Sequence, residues 1–330
     1  GCCGTTPQHI KKTAELLKKQ VIIESGQQES RESIFSEKIN SENIFEKKIK
    51  NGEFVIAVEL DPPFNSDLTK IIDAAEKLKE SPVDIITVSD SPIGKVRCSS
   101  IVTAARIKRE CRIDAMPHLC CRDRNIIGIK SDITGAKSEN ISNFLFVTGD
   151  PIPSAERNEV KSVFNFNSMG LMELGGKINE SDDKNRIFFG GALNLNVVKK
   201  EIELDRMLKK REKGASFFLT QPVYDDKTVE FIQNNREILY ENRVLIGIMP
   251  LVSYSNAMFL NNEIPGITIP DKYIEQFKSE MTREEAEEVG ENVAVEIAEK
   301  VMQCGAGLYF ITPFNRAAMI NRVIKRLKIN

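Results

Sequence analysis

FVIAVEL, residues 54–60, is an unbroken apolar run that ends on an acid, and its shape recurs along the chain. Seven more runs follow: DIITVSD (84–90), DAMPHLCC (114–121), NFLFVTGD (143–150), FFGGALN (188–194), SFFLTQP (216–222), VLIGIMP (244–250) and GLYFITP (307–313). Between them lie charged, amphipathic stretches long enough for a helix. Strands apolar on both faces, alternating with helices, belong to a parallel sheet covered on both sides. Eight such units close a (β/α)8 barrel, whose chemistry sits at the C-terminal ends of the strands. Those ends carry Glu59, Ser89, Asp90, His118, Asp150, Asn194 and Gln221, with turns after Pro250 and Pro313.

A chain of 330 residues accommodates one barrel of roughly 250 residues and an appendage. A net charge of −2 argues against a dedicated nucleic-acid binder. No apolar run approaches the ~18 residues that span a bilayer, and no secretory leader opens the sequence. Seven cysteines at irregular spacings do not form a disulfide framework, so a cytoplasmic protein is expected.

Residues 1–33 fall outside the barrel pattern: GCCGTTPQHI, a short helical stretch, then the polar linker ESGQQESRES. Residues 34–52 read as a short charged helix leading into the first strand. Helices are expected at 66–80, 97–111, 123–138, roughly 156–178, 197–213, 225–240 and 315–328. Two helical pieces are expected within 253–303, the second stopping at Gly305. The long segment 251–306 is expected to cover the site as a lid.

Within FVIAVEL, alternation puts Val55, Ala57 and Glu59 on one face. If that face lines the barrel mouth, desolvation raises the Glu59 pKa and suits it to general acid work near neutral pH. Spacing alone equally allows a strand-end glutamate in a surface salt bridge. Asp150 follows a glycine at the end of the fourth run, where a carboxylate can approach a ligand, although Gly-Asp-Pro is also an ordinary turn. Gln221 offers an amide donor and acceptor to a heterocycle, or merely satisfies a turn. In MPHLCC, alternation points His118 and Cys121 to opposite faces, which favours a buried histidine near a cofactor over a zinc site. Cys2 and Cys3, beside a glycine, suit two thiolate ligands of a zinc site whose other ligands would lie upstream; the alternative is an inert tail.

Taken together, VELDPP, MPHLCC, VTGDPIP, GASFFLTQPVYD, GIMPLVSYSNA and ITPFNRAAM resemble the methylenetetrahydrofolate reductase family over roughly residues 45–328. The head resembles the last zinc-ligand motif of cobalamin-independent homocysteine S-methyltransferases. The combination is similar to bacterial chains that fuse the two activities, with residues 1–33 a methyltransferase remnant plus linker and 34–330 the reductase barrel. The resemblance implies a flavin-dependent barrel that reduces 5,10-methylenetetrahydrofolate to 5-methyltetrahydrofolate with NAD(P)H by a ping-pong mechanism. It implies Glu59 as general acid and Asp150 beside the flavin ring. Gln221, Tyr254 and Arg316 would be substrate contacts. FAD contacts would be Ser89, His118, Thr148, Gly149, Asp150, Asn167, Ser168, Glu203 and Lys210. Thr148 stands where members carry arginine, and Leu193 and Val197 replace a tyrosine and a histidine, which implies a looser hold on FAD or a hold by other residues. Small-molecule partners are implied, a homo-oligomer is left open, and zinc would belong to the upstream domain. Two other readings remain open: metal-dependent methyl transfer, and a non-catalytic barrel that binds folate or flavin.

Overall fold

In the computed structural model, residues 4–18, 43–182, 185–264 and 266–329 are described here. The chain divides into two units, Gly1–Glu42 and Asn43–Asn330. In the first, helix α1 spans Pro7–Lys18. Cys2, Cys3 and the linker read at residues 24–33 lie outside the described residues.

The second unit is a closed barrel of eight parallel strands in sequence order. The strands are β1 Val55–Leu60, β2 Ile85–Val88, β3 Ala115–Cys120, β4 Asn143–Val147, β5 Phe188–Leu193, β6 Phe218–Pro222, β7 Val244–Ile248 and β8 Gly307–Ile311. Pairing of Val55 with Gly307 through Glu59 with Ile311 closes β8 onto β1. The helices are α2 Ile44–Asn51, α3 Thr69–Leu78, α4 Ser100–Cys111, α5 Ile126–Ser138, α6 Ser168–Ser181, α7 Lys200–Glu212, α8 Asp226–Asn234, α9 Arg236–Glu241, α10 Tyr254–Glu263, α11 Asp271–Ile274, α12 Arg283–Val301 and α13 Ala317–Arg326.

Several elements depart from the sequence expectation. Residues 156–167 are not helical: a short 3-10 turn at Ser154–Glu156 gives way to irregular chain, and α6 starts only where the Asn167 side chain accepts from Gly170 N. Proline at 151 and 153 and a left-handed Phe164 (φ 38°) explain why the helix starts late. The stretch 225–240 is two helices, because Asn235 leaves helical geometry (φ −110°, ψ 18°) and donates its side chain to the Phe231 carbonyl. The segment 251–306 holds three helices, and α12 ends at Val301, before Gly305. Nor is α12 a lid. Its Val293, Ala294, Ile297 and Val301 are buried, and it packs against β7, α8 and α13 as the seventh barrel helix.

Alternation along the strands makes two cores. Val58, Ile86, Leu119, Phe146, Phe189 and their like face outward onto the helices. Val55, Ala57, Ile85, Met116, Leu145, Phe188, Phe217, Leu219, Leu245 and Tyr309 fill the barrel. Helix α2 closes the lower end by inserting Phe45, fully buried, edge-on to Phe188 (5.9 Å) and Phe217 (5.0 Å). The helix is tied down by Lys48 on Asp84 (2.6 Å), whose other oxygen accepts from Ile56 N. Gly190 leaves room for the Phe217 ring, which a Cβ there would meet at 2.5 Å. A filled lower interior leaves the upper mouth as the place where polar side chains gather. Phe45→Ala should therefore cost about 3–5 kcal/mol in a denaturant melt, the scale of an aromatic deletion in a core.

Candidate active site

The polar residues of the interior lie above the apolar layers. Glu59, third in the alternation after Val55 and Ala57, points into the mouth, with 16% of its side chain exposed. Tyr309 of β8 donates its hydroxyl to Glu59 Oε2. His118 Nε2 lies 3.5 Å from the same oxygen and has no hydrogen-bond partner, although it is buried. Burial pushes the Glu59 carboxyl up to about 8, helped by the charges of Asp61 and Asp150 and opposed by the Tyr309 hydrogen bond. Burial likewise pushes His118 down to about 4. At neutral pH the two therefore meet as a protonated acid and a neutral imidazole, not as an ion pair.

Around this centre the loops are cross-tied. The Ser89 hydroxyl donates to Asp61 Oδ1. Asp150 Oδ2 accepts from Ile93 N (2.7 Å), which links the loops after β2 and β4. Buried Arg122 donates to the carbonyls of Ser91 and Asp150 (both 3.2 Å) and to the Asp123 carboxylate. Asp90 accepts from Cys120 N and Arg124. Gly149 holds φ +95°, a backbone conformation for which glycine is suited, with Cys120 and Arg122 3.0 Å from where a Cβ would be.

At the far end of β4, Thr148 Oγ1 accepts from Ser168 N (3.1 Å), so the strand end is joined to the start of α6. Asn167 caps that helix. Glu203 and Lys210 stand on α7, away from these bonds. Lys210 Nζ donates to the Ala192 carbonyl (2.5 Å), and Glu203 accepts from Arg206. Burial lowers the Lys210 pKa. Leu193 is buried.

On the opposite side, Gln221 is exposed on β6, where the register with β7 shifts between Leu219 and Pro222. Gly247 permits that irregularity, since a Cβ there would lie 2.7 Å from the Gln221 carbonyl. Tyr254 begins α10 and is half exposed. Arg316 lines a cleft of about 510 Å³ together with Val252, Phe259, Met281, Arg283 and Phe314.

Glu59 and His118 are thus in direct approach, and Asp150 is close enough for its charge to act on Glu59. Glu203 and Lys210 are bonded elsewhere. Sequence reading missed Tyr309, although the same period of two that singled out Glu59 puts Tyr309 inside. It also missed Asp61, Arg122, Asn315 and Glu287, whose partners lie far along the chain. Among the described residues, no group of three His, Cys, Asp or Glu side chains is placed to hold a metal, and no helix is long and apolar enough to cross a membrane.

Residues 44–328 match the family model described as methylenetetrahydrofolate reductase. No curated protein matches the chain. Among solved structures, an uncharacterized protein from Clostridium thermocellum, described as binding two copies of 5-methyl-5,6,7,8-tetrahydrofolic acid, is similar with a TM-score of 0.60 and 16% identity. That match covers 86% of this chain and 98% of the other, and it shows the fold. A 2,3-dimethylmalate lyase of the PEP mutase/isocitrate lyase superfamily reaches a TM-score of 0.46 at 10% identity, over 86% and 84% of the two chains. Yersinia pestis DHPS with a pterine-sulfa conjugate reaches 0.45 at 10% identity, over 84% and 95%.

Two outcomes follow from the Glu59 environment. Tyr309→Phe removes the hydrogen bond that favours the carboxylate, so the Glu59 pKa should rise beyond about 8, as read by NMR of a carboxyl-labelled sample. A raised folded-state pKa gives stability that is full below the unfolded value of 4.5 and is lost as pH climbs through about 8. Glu59→Gln has no proton to lose there, so its melting temperature should gain on the parent's across that window.

Proposed function

The chain belongs to the methylenetetrahydrofolate reductase family, and from that premise we propose that it reduces 5,10-methylenetetrahydrofolate to 5-methyltetrahydrofolate with FAD as cofactor and NAD(P)H as donor. The observation that carries the reading is the Glu59 carboxyl buried inside the barrel mouth and aligned by Tyr309, where burial pushes its pKa up to about 8. Opening the imidazolidine ring of the folate needs a proton on the departing nitrogen. A carboxyl poised near pH 8 still holds that proton at neutral pH and gives it up at modest cost. His118, its pKa pushed down to about 4 by burial, lies neutral at 3.5 Å and keeps the pocket polar without the positive charge that would favour the Glu59 carboxylate.

The residues around the β2 to β4 side fit FAD. The unpartnered, buried His118 Nε2 is a polar atom in need of a partner, and Ser89, Gly149 and Asp150 surround the same mouth. Asn167 and Ser168 open a 14-residue helix, whose positive end suits a phosphate. Thr148 would hold this end through its link to Ser168, while Lys210 would have to leave the Ala192 carbonyl to reach a ligand. Bound FAD supplies hydride transfer, which no side chain here can perform. Asp150 adds negative charge beside the ring, and Gln221, Tyr254 and Arg316 line the substrate side. The nicotinamide donor and the folate would use this one mouth in turn, which gives ping-pong kinetics.

In the same reading, the head is the end of a homocysteine S-methyltransferase domain, with Cys2 and Cys3 as two of its zinc thiolates. Zinc analysis of a longer chain, with and without both cysteines, tests that part separately.

For the barrel, the test is rapid mixing of Glu59→Gln under anaerobic conditions. The variant should be reduced by NAD(P)H at the parent's rate, and should fail to pass the electrons to methylenetetrahydrofolate. Equal loss in both half-reactions would remove Glu59 from the role of proton donor.

A further inference from the structure

Arg316 reaches its cleft from a turn held in an uncommon backbone conformation. Phe314 and Asn315 both have positive φ (52° and 55°), which non-glycine residues keep only where their surroundings over-determine it. One restraint is Asn315. Its Oδ1 accepts from Asp61 N (2.9 Å) and its Nδ2 donates to the Asp61 carbonyl (2.8 Å), so the loop after β8 is buttoned to the loop after β1. The other is Glu287, in the second turn of α12. Its Oε1 accepts from Arg316 Nη1 (3.0 Å) and Arg283 Nε (3.0 Å), and its Oε2 accepts from Arg322 Nη2 (2.9 Å). Only 14% of the Glu287 side chain is exposed. Arg322 has a second acceptor in buried Glu291 (2.7 Å).

We propose that Glu287 is a positioning residue for substrate binding: it fixes the Arg316 guanidinium at the cleft before the folate arrives, ready for an anionic group of that substrate. The inference rests on the reading of Arg316 as a substrate contact. Three features support it. A long arginine side chain on a loop samples many rotamers, and a two-sided restraint removes most of them before binding. Three guanidiniums meet two carboxylates, Glu287 and the Glu291 that shares Arg322, so one positive charge is left over, and Arg283 and Arg316 present it at the cleft. Val252, Phe259, Met281 and Phe314 give the cleft an apolar side, and Ser253, Ser255, Asn256 and Thr282 a polar one, so an aromatic ring can lie beside that charged face. A folate presents this combination, an aryl ring followed by carboxylates.

The test compares steady-state kinetics of the parent, Glu287→Gln, Glu287→Asp, Arg316→Ala and the double variant Glu287→Gln/Arg316→Ala, all as FAD-loaded protein with matched melting curves. Glu287→Gln should raise KM for methylenetetrahydrofolate on the order of tenfold, the scale of a hydrogen bond to a charged group. Its kcat, and its rate of flavin reduction at saturating NAD(P)H, should match the parent. Glu287→Asp keeps the charge that the arginines need and shortens the reach, so it should show a smaller rise in KM even if the glutamine variant folds poorly. In the Arg316→Ala background, Glu287→Gln should add nothing further to KM. If Arg316→Ala raises KM and neither Glu287 variant does, the positioning role is wrong while the substrate contact stands. If Arg316→Ala leaves KM unchanged, the substrate contact is wrong and the role of Glu287 falls with it. A parallel loss of kcat and of both half-reactions in the Glu287 variants would make the cluster structural and overturn the inference.

Discussion

In a closed parallel barrel, every second side chain of every strand points into one shared interior that holds only a few layers. Below, that interior is packed by Phe45, Phe188, Phe217 and Leu145. A carboxyl on the third inward position of β1 must then sit on top of an apolar column, under whatever covers the mouth. The raised pKa of Glu59 follows directly: water is displaced from one side, Asp61 and Asp150 add negative charge, and the Tyr309 hydroxyl offsets only part of the cost. The acid at the mouth is thus a consequence of how the lower barrel is filled, which ties the Glu59 pKa to a phenylalanine on α2.

The mouth also separates its acids by environment. Glu59 is desolvated, whereas Asp150 is exposed and takes the Ile93 amide. Loops that hold such groups need restraint, since loop residues are otherwise mobile. Here the restraint comes from long-range ties: Ser89 to Asp61, Asn315 to Asp61, Arg122 to the carbonyls on either side, and Thr148 to the start of α6. The first three join the end of one strand to the loop of another, and the last closes the β4–α6 connection on itself, so the rim from β8 through β1 to β4 is tied together above the barrel.

Much of the barrel was legible in the sequence because its strands are buried on both faces and read as continuous apolar runs. The runs overshoot the strands at the C-terminal side, as in DIITVSD against Ile85–Val88, because those last residues leave the ladder to build the mouth. Residues 156–167 were misread as helix, since an apolar-polar mixture without a firm period cannot reveal a proline-directed loop. The segment 251–306 looks like a lid on length alone, and the buried face of α12 makes its Arg283–Val301 part of the wall. For the site, the period of two placed Glu59 inward but could not name its partner, because Tyr309 lies 250 residues away. The Glu287 cluster was equally hidden, as it joins three arginines across α12, the loop after β8 and α13.

The most direct measurement is the visible spectrum of the purified protein supplied with FAD, followed anaerobically by NAD(P)H and then by methylenetetrahydrofolate. A flavin band should bleach with the first addition and return with the second. A band that bleaches and stays bleached would contradict the folate assignment, and a protein that takes up no flavin would contradict the account as a whole.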